Sequence, residues 1–251
     1  MSGGVTAAVP ELRLEGVAIR HRRRRVVRDL TWRHGAGRVA WLIGENGAGK
    51  SSLLRALAGR ARPAAGVVTL VDPSGATGAR LYYRPAMRLP GGITVAEWRR
   101  LIERLGGGVD RGVGVPGASG VSGVSGVSAA PEGRGAGEHP VAPEDAMALL
   151  RPDVPPDRRL DRLSTGEAKR LMLEALLGRP ASFLFLDEPY EHLSSSARDG
   201  LTAILVARAR RSVVVVATNQ PVPVDAGGPI VRLDGERAVI DLRKEEAPWG
   251  S

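Results

Sequence analysis

The sequence predicts an α/β fold: a mostly parallel sheet covered by helices, with an antiparallel β section at its N-terminal end. Three observations predict it. Short, almost wholly apolar runs at Val39–Ile43, Phe183–Leu186 and Ser212–Thr218 have the length and character of strands buried on both faces. Segments with apolar residues at helical spacing alternate with them, as in a layered α/β domain. One strand also runs through a Gly-rich turn straight into a helix, at Gly44–Lys50.

Taken in order, residues 1–10 read as a loose tail. Leu12–Arg20 and Val26–Trp32 read as two strands, with His21–Arg25 between them as a hairpin turn. Val39–Ile43 is a buried strand leading into a helix at Lys50–Ala58, whose Leu53, Leu54 and Leu57 share one face. Val67–Val71 and Leu81–Tyr83 are further strands. Thr94–Leu105 is a helix with Thr94 as N-cap and Glu97 three residues on. Gly106–Pro143 then lacks aromatics and large apolar residues and contains the repeat GVSGVSGVS at Gly120–Ser128, so it reads as a flexible surface insertion. Such a loop is tolerated cheaply, since doubling its length adds only about 0.6 kcal/mol of closure entropy. Order resumes at Glu144–Leu150. Glu167–Leu177 is a helix, apolar at 168, 171, 172, 175 and 176, and Ala197–Arg210 is another. Two short edge strands are expected near Ile230–Leu233 and Ala238–Leu242. Residues 11–251 thus read as one domain.

Composition narrows the function classes. A chain of 251 residues can bury roughly 70% of its surface without a staple. It has no Cys, which excludes disulfides and thiolate metal sites and fits a reducing cytoplasm. Four scattered His suggest no metal cluster. No apolar run reaches the roughly 18–20 residues needed to span a bilayer, and the N-terminus lacks the pattern of a signal peptide. The expectation is a protein that is soluble or held at a membrane by a partner. The net charge of +9 is carried almost entirely by Arg and spread along the chain, apart from Arg22–Arg25, so direct nucleic-acid binding is not expected.

Two motifs carry chemistry. Gly44-Glu45-Asn46-Gly47-Ala48-Gly49-Lys50-Ser51 matches G-x-x-x-x-G-K-[ST], in the required place between a buried strand and a helix, with Ser52 next in line. The glycines let backbone N–H groups curl around phosphates, and the helix N-terminus adds positive dipole. Lys50 supplies a compact charge for the β- and γ-phosphates, and the Ser51 hydroxyl is a ligand for Mg²⁺. Lys50 is the only Lys in the first 168 residues, so a chain rich in Arg uses Lys where a slim point charge fits and a planar fork does not. Phe183-Leu184-Phe185-Leu186-Asp187-Glu188 is the expected partner, a buried strand ending in two carboxylates. Asp187 is placed to hold Mg²⁺ and Glu188 to polarise the attacking water.

With both motifs, the chain resembles the ATP-binding cassette family over nearly its whole length outside the tail and insertion. Leu163-Ser164-Thr165-Gly166-Glu167 looks like the family signature L-S-G-G-Q, with Thr165 and Glu167 departing from it. Ser164 with Glu167 also reads as a capping box, and both readings stand together because the signature opens a helix. The resemblance implies a P-loop NTPase core with an antiparallel β subdomain and a helical signature subdomain. It also implies ATP and Mg²⁺ as cofactors, and a head-to-tail dimer in which the signature of one subunit contacts the ATP of the other. His21 matches the position of the ring that stacks on adenine; a solvated turn residue is the alternative.

Three departures bear on activity. The family Gln after the strand at Leu81–Tyr83 is missing from Tyr83-Arg84-Pro85-Ala86-Met87; Gln220 is the only Gln in the chain. Asn219 stands where the family has its switch His, and Ser194 where the loop after Glu188 carries Asp. Asn219 keeps an amide donor that can reach a γ-phosphate but cannot become a cation. The expectation is firm ATP binding and slow hydrolysis, with Glu188 and Asn219 as the catalytic pair. The chain then serves separate transmembrane permease subunits from the cytoplasmic face of the membrane, as a homodimer or as a heterodimer with a second cassette. A regulatory cassette that barely turns over ATP, and a soluble switch acting on a ribosome or nucleic acid, are the rival readings.

Overall fold

The computed structural model describes residues 9–22, 24–73, 79–106, 143–223, 226–234 and 237–241. Most of the expected tail and insertion lies outside these residues. In chain order the elements are β1 (Glu11–His21), β2 (Arg24–Gly35), β3 (Val39–Gly44), α1 (Lys50–Leu57), β4 (Ala65–Val71), β5 (Arg80–Tyr83) and α2 (Val95–Gly106). They continue with α3 (Pro143–Leu150), α4 (Thr165–Leu177), β6 (Phe183–Asp187), α5 (Ser195–Ala209), β7 (Val213–Thr218), β8 (Ile230–Asp234) and β9 (Arg237–Asp241).

The strands form two sheets. β2-β1-β4 is antiparallel, and β1 and β2 form the expected hairpin, with Arg22 in the left-handed region (φ 54°) at its tip. The larger sheet runs β5-β6-β7-β3-β8-β9; its first five strands are parallel and β9 returns antiparallel along β8. The sequence reading of two closing edge strands needs correction. β8 is interior, paired with β3 on one flank and β9 on the other, and of these two strands only β9 lies at an edge. Ile230, Val231 and Leu233 are buried accordingly, while Val239 of β9 is 56% exposed.

Helix α1 lies between the sheets. Its Leu53, Leu54 and Leu57 pack with Leu12, Leu14 and Val27 of the antiparallel sheet and with Phe183, Phe185 and Val215 of the parallel one. Each such side chain contributes roughly 1.5–3 kcal/mol on burial, so three leucines on one face fix this short helix against both sheets. The opposite face of the large sheet carries α3, α4 and α5, with Leu150, Leu173 and Leu201 against Leu184, Leu186 and Val216. This two-sided cover explains why β6 and β7 read as unbroken apolar runs rather than alternating ones.

The helix starts follow the sequence. Thr94 and Glu97 exchange bonds before α2: the Thr94 N–H donates to Glu97 Oε2 (2.7 Å) and the Glu97 N–H to Thr94 Oγ1 (3.3 Å). Ser164 and Glu167 form the same box at α4 (2.7 and 3.3 Å). Ser194 caps α5, its hydroxyl accepting from the Ala197 N–H at 3.4 Å. A small apolar cluster of Val95, Val154, Leu160 and Leu171 ties α2 to α4 through the 152–163 segment.

Candidate nucleotide site

The site forms at the carboxyl ends of β3, β6 and β7, where a parallel sheet opens toward its following loops. Two glycines there are dictated by space. At Gly44 (φ 155°) a Cβ would sit 2.5 Å from the Leu233 carbonyl oxygen. At Gly49 (φ 103°), the first position before α1, it would sit 2.8 Å from Val26 Cβ. Both positive φ values are ones that L side chains rarely adopt. The turn between them is closed by the Ala48 N–H donating to the Glu45 carbonyl (3.1 Å), with Gly47 at φ 85° and Asn46 beside it.

Lys50 is buried at 6% exposure, and its ammonium donates back into the loop, to the carbonyls of Gly44 (2.7 Å) and Glu45 (3.3 Å). It also stands 3.5 Å from Glu188 Oε1. The ammonium is thus held inside the loop by the loop's own carbonyls.

The two carboxylates are set by the register of β6 on β7, which places Asp187 opposite Ala217. Asp187 is 4% exposed and accepts from the Ser51 hydroxyl, but its Oδ1 is buried with no donor. Burial pushes its carboxyl above the usual range, against the pull of Ser51 and Lys50. A buried carboxylate oxygen without a donor, next to a hydroxyl, fits a hard divalent cation that prefers oxygen ligands. Ser51 and Asp187 are the residues that could hold Mg²⁺.

Glu188 leaves the strand in the left-handed region (φ 46°), its N–H donating to the Ala217 carbonyl at 2.9 Å. This turn aims its carboxylate at Lys50 rather than along the sheet. Oε2 accepts from the backbone N–H of Asn219 at 3.0 Å. Burial again pushes the carboxyl up, opposed by the Asn219 N–H and Lys50 and reinforced by Glu191 and Asp187. A carboxylate fixed at both oxygens, with a raised pKa, is suited to take or polarise a proton. Asn219 itself is exposed, and its backbone, not its side chain, makes this contact.

His21 is brought to the same helix from the β1–β2 hairpin, with Nδ1 3.3 Å from the Ser52 hydroxyl. Together they border a surface cavity of about 300 Å³ that Arg20, Arg55 and Arg62 also line. Leu163–Glu167 stands apart: no hydrogen bond or ion pair among the described residues joins it to Gly44–Ser51, and the Ser164 and Glu167 side chains are engaged in the capping box. Gly166 packs close to the loop after Glu188, where a Cβ would sit 3.3 Å from the His192 carbonyl oxygen.

Sequence reasoning missed Lys169. It lies on α4, is 8% exposed, and donates to the Glu188 carbonyl at 2.8 Å. The available signal was its rarity, since the chain has 33 Arg and only three Lys, of which Lys50 is one.

Comparison with known proteins agrees with this geometry. The profile of the ABC transporter family matches residues 27–191. The tylosin resistance ATP-binding protein of Streptomyces fradiae is 33% identical over 235 residues, covering 88% of this chain and 41% of that protein. The chain therefore spans about two fifths of that relative's length. The cytochrome c biogenesis ATP-binding export protein of Sphingopyxis alaskensis is 30% identical over 216 residues, covering 83% of this chain and 89% of that protein. Among solved structures, an ABC transporter ATP-binding protein from Pyrococcus furiosus superposes with a TM-score of 0.63 at 18% identity, over 89% of this chain and 97% of that one. With its loop, its paired carboxylates and its sheet order in place, the chain belongs to the ABC transporter family, as an ATP-binding cassette of the ATPase type.

Proposed function

We propose that the chain binds Mg–ATP at Gly44–Ser52, hydrolyses it slowly, and serves as the nucleotide-binding subunit for separate membrane-spanning permease chains. The observation that supports this best is the convergence of Lys50, Ser51, Asp187 and Glu188 on one point at the end of the parallel strands. On binding, Lys50 exchanges the Gly44 and Glu45 carbonyls for β- and γ-phosphate oxygens, and the N–H groups of Glu45–Ser51 cradle the same groups. Mg²⁺, held by Ser51 and Asp187, would neutralise charge developing on those oxygens. Glu188 polarises the attacking water, and the Asn219 amide reaches the γ-phosphate. His21 takes the base.

Turnover is slow because Asn219 supplies a neutral donor where the family has a cation, and no Gln follows β5. Loss of one such donor lowers rates by about 10²–10³. In this reading Leu163–Glu167 closes on the nucleotide of a second subunit, since among the described residues no hydrogen bond or ion pair joins it to the phosphate loop. That subunit is a second copy or another cassette. No described helix is long and apolar enough to cross a membrane, so the partner chains provide the path and hold this subunit at the cytoplasmic face.

The test is ATP binding and turnover by the purified protein beside Lys50→Ala and Glu188→Gln. Turnover abolished by Glu188→Gln with binding kept supports a working ATPase. Tight binding with turnover no higher than in Glu188→Gln supports the second reading, a regulatory half-site, which the substitution at Asn219 favours. Absence of binding sinks both.

A further inference from the structure

We propose that Lys169 is a positioning residue for Glu188, locking the signature-bearing helix to the catalytic carboxylate of the same subunit. The inference rests on the reading of Glu188 given above.

Three observations on the Lys169 ammonium carry it. It donates to the Glu188 carbonyl oxygen at 2.8 Å, at the one peptide where the chain turns into the left-handed region to aim the carboxylate. It stands over the Tyr83 ring, 5.7 Å from the centroid, at the end of β5. It is only 8% exposed, so it is not a solvated surface charge. Glu188 and Glu191 face it from the loop after β6, Tyr83 from β5 and Arg198 from α5. A buried ammonium needs such partners, and an apolar residue would be the cheaper filler between α4 and β5 if packing were the only demand.

The arrangement also answers an electrostatic problem. Glu191 pushes the carboxyl groups of Asp187 and Glu188 up, Asp187 pushes that of Glu188 up further, and Lys50 is drawn to phosphate when nucleotide binds. Lys169 is a second cation that stays with Glu188 through that exchange. Burial lowers its pKa to about 8, and the two glutamates hold it up, so it carries charge at neutral pH. Because Lys169 sits on α4, five residues after Ser164, a shift of that helix is transmitted to the Glu188 peptide without passing through the nucleotide.

The experiment compares Lys169→Met and Lys169→Arg with wild type. Lys169→Met is expected to lower kcat about tenfold with KM for ATP little changed, the pattern of an interaction that acts on the chemical step. Lys169→Arg, which restores a cationic donor, is expected to recover most of it. Unchanged kcat in Lys169→Met, or a loss of melting temperature and kcat that Lys169→Arg fails to restore, overturns the proposal. If Lys169→Met does not fold, Lys169→Gln keeps a neutral N–H donor and reads the loss of charge alone; wild-type kcat there overturns it as well. A readout independent of turnover is the ¹³C carboxyl resonance of Glu188, assigned with Glu188→Gln in the nucleotide-free protein. It is expected to move in Lys169→Met, and an unmoved resonance overturns the proposal whatever the rates. A protein that turns over no ATP but whose Glu188 resonance follows residue 169 would remove the ATPase reading and leave this one standing.

Discussion

Glu188 and His34 show at the scale of single residues how burial becomes pH dependence. In the proposed role Glu188 acts when deprotonated, and burial raises its pKa above the ordinary carboxylate value. Turnover should therefore fall on acidification, with a midpoint above the free-glutamate value of about 4.3. A pH–rate profile at saturating ATP checks this, and an acid limb at or below that value would contradict it. His34 is different in kind. It is 8% exposed, stacked on Trp32, and burial lowers its pKa to about 4. The folded state keeps it neutral, so stability is full above the unfolded pKa of about 6.5 and is lost as pH falls from there to about 4, by up to roughly 3 kcal/mol. Urea unfolding at pH 7.5 and pH 4.5 measures the difference, and His34→Phe should reduce it.

The helices depend on their first residues. Ser164→Ala removes half of the capping box of α4 and should cost about 1 kcal/mol, or roughly 2–4 °C in Tm for a chain of this size. An unchanged Tm would show that packing alone holds the start of α4. Gly49→Ala is more severe, because the added Cβ meets Val26 at 2.8 Å while φ stays at 103°. It should lower stability by about 1–3 kcal/mol and weaken ATP binding together, since the same residue begins α1 and shapes the loop. Calorimetric titration with ATP beside thermal melting separates the two effects. The departure at Ser194 also finds an account here: the hydroxyl caps α5, a task that Asp would perform as well.

For the molecule as a whole, the proposed dimer sets the nucleotide of a second subunit against Leu163–Glu167. Glu188→Gln in Mg–ATP should trap any closed pair, and light scattering would report a mass twice that of the chain. A persistent monomer at high protein concentration would move the weight to a heterodimer with a second cassette. Leu184→Ala, at the centre of the large sheet, should cost about 2–5 kcal/mol and unfold the site together with the core, since the carboxylates end the same strand.

The sequence by itself determined the α/β class, the phosphate loop, the paired carboxylates and the caps at Thr94 and Ser164. These are local: a glycine pattern, an apolar run or a three-residue spacing carries its own physical cause. Only the tertiary structure decided that β8 is interior, because strand order depends on which neighbours pair and not on the run itself. It alone showed that the Asn219 backbone holds Glu188, and that Lys169, 19 residues before Glu188, reaches the peptide that aims it. Contacts of this kind join segments whose spacing in the chain has no period. The burial that shifts Glu188, Asp187 and His34 exists only once both sheets and their helices have closed around them.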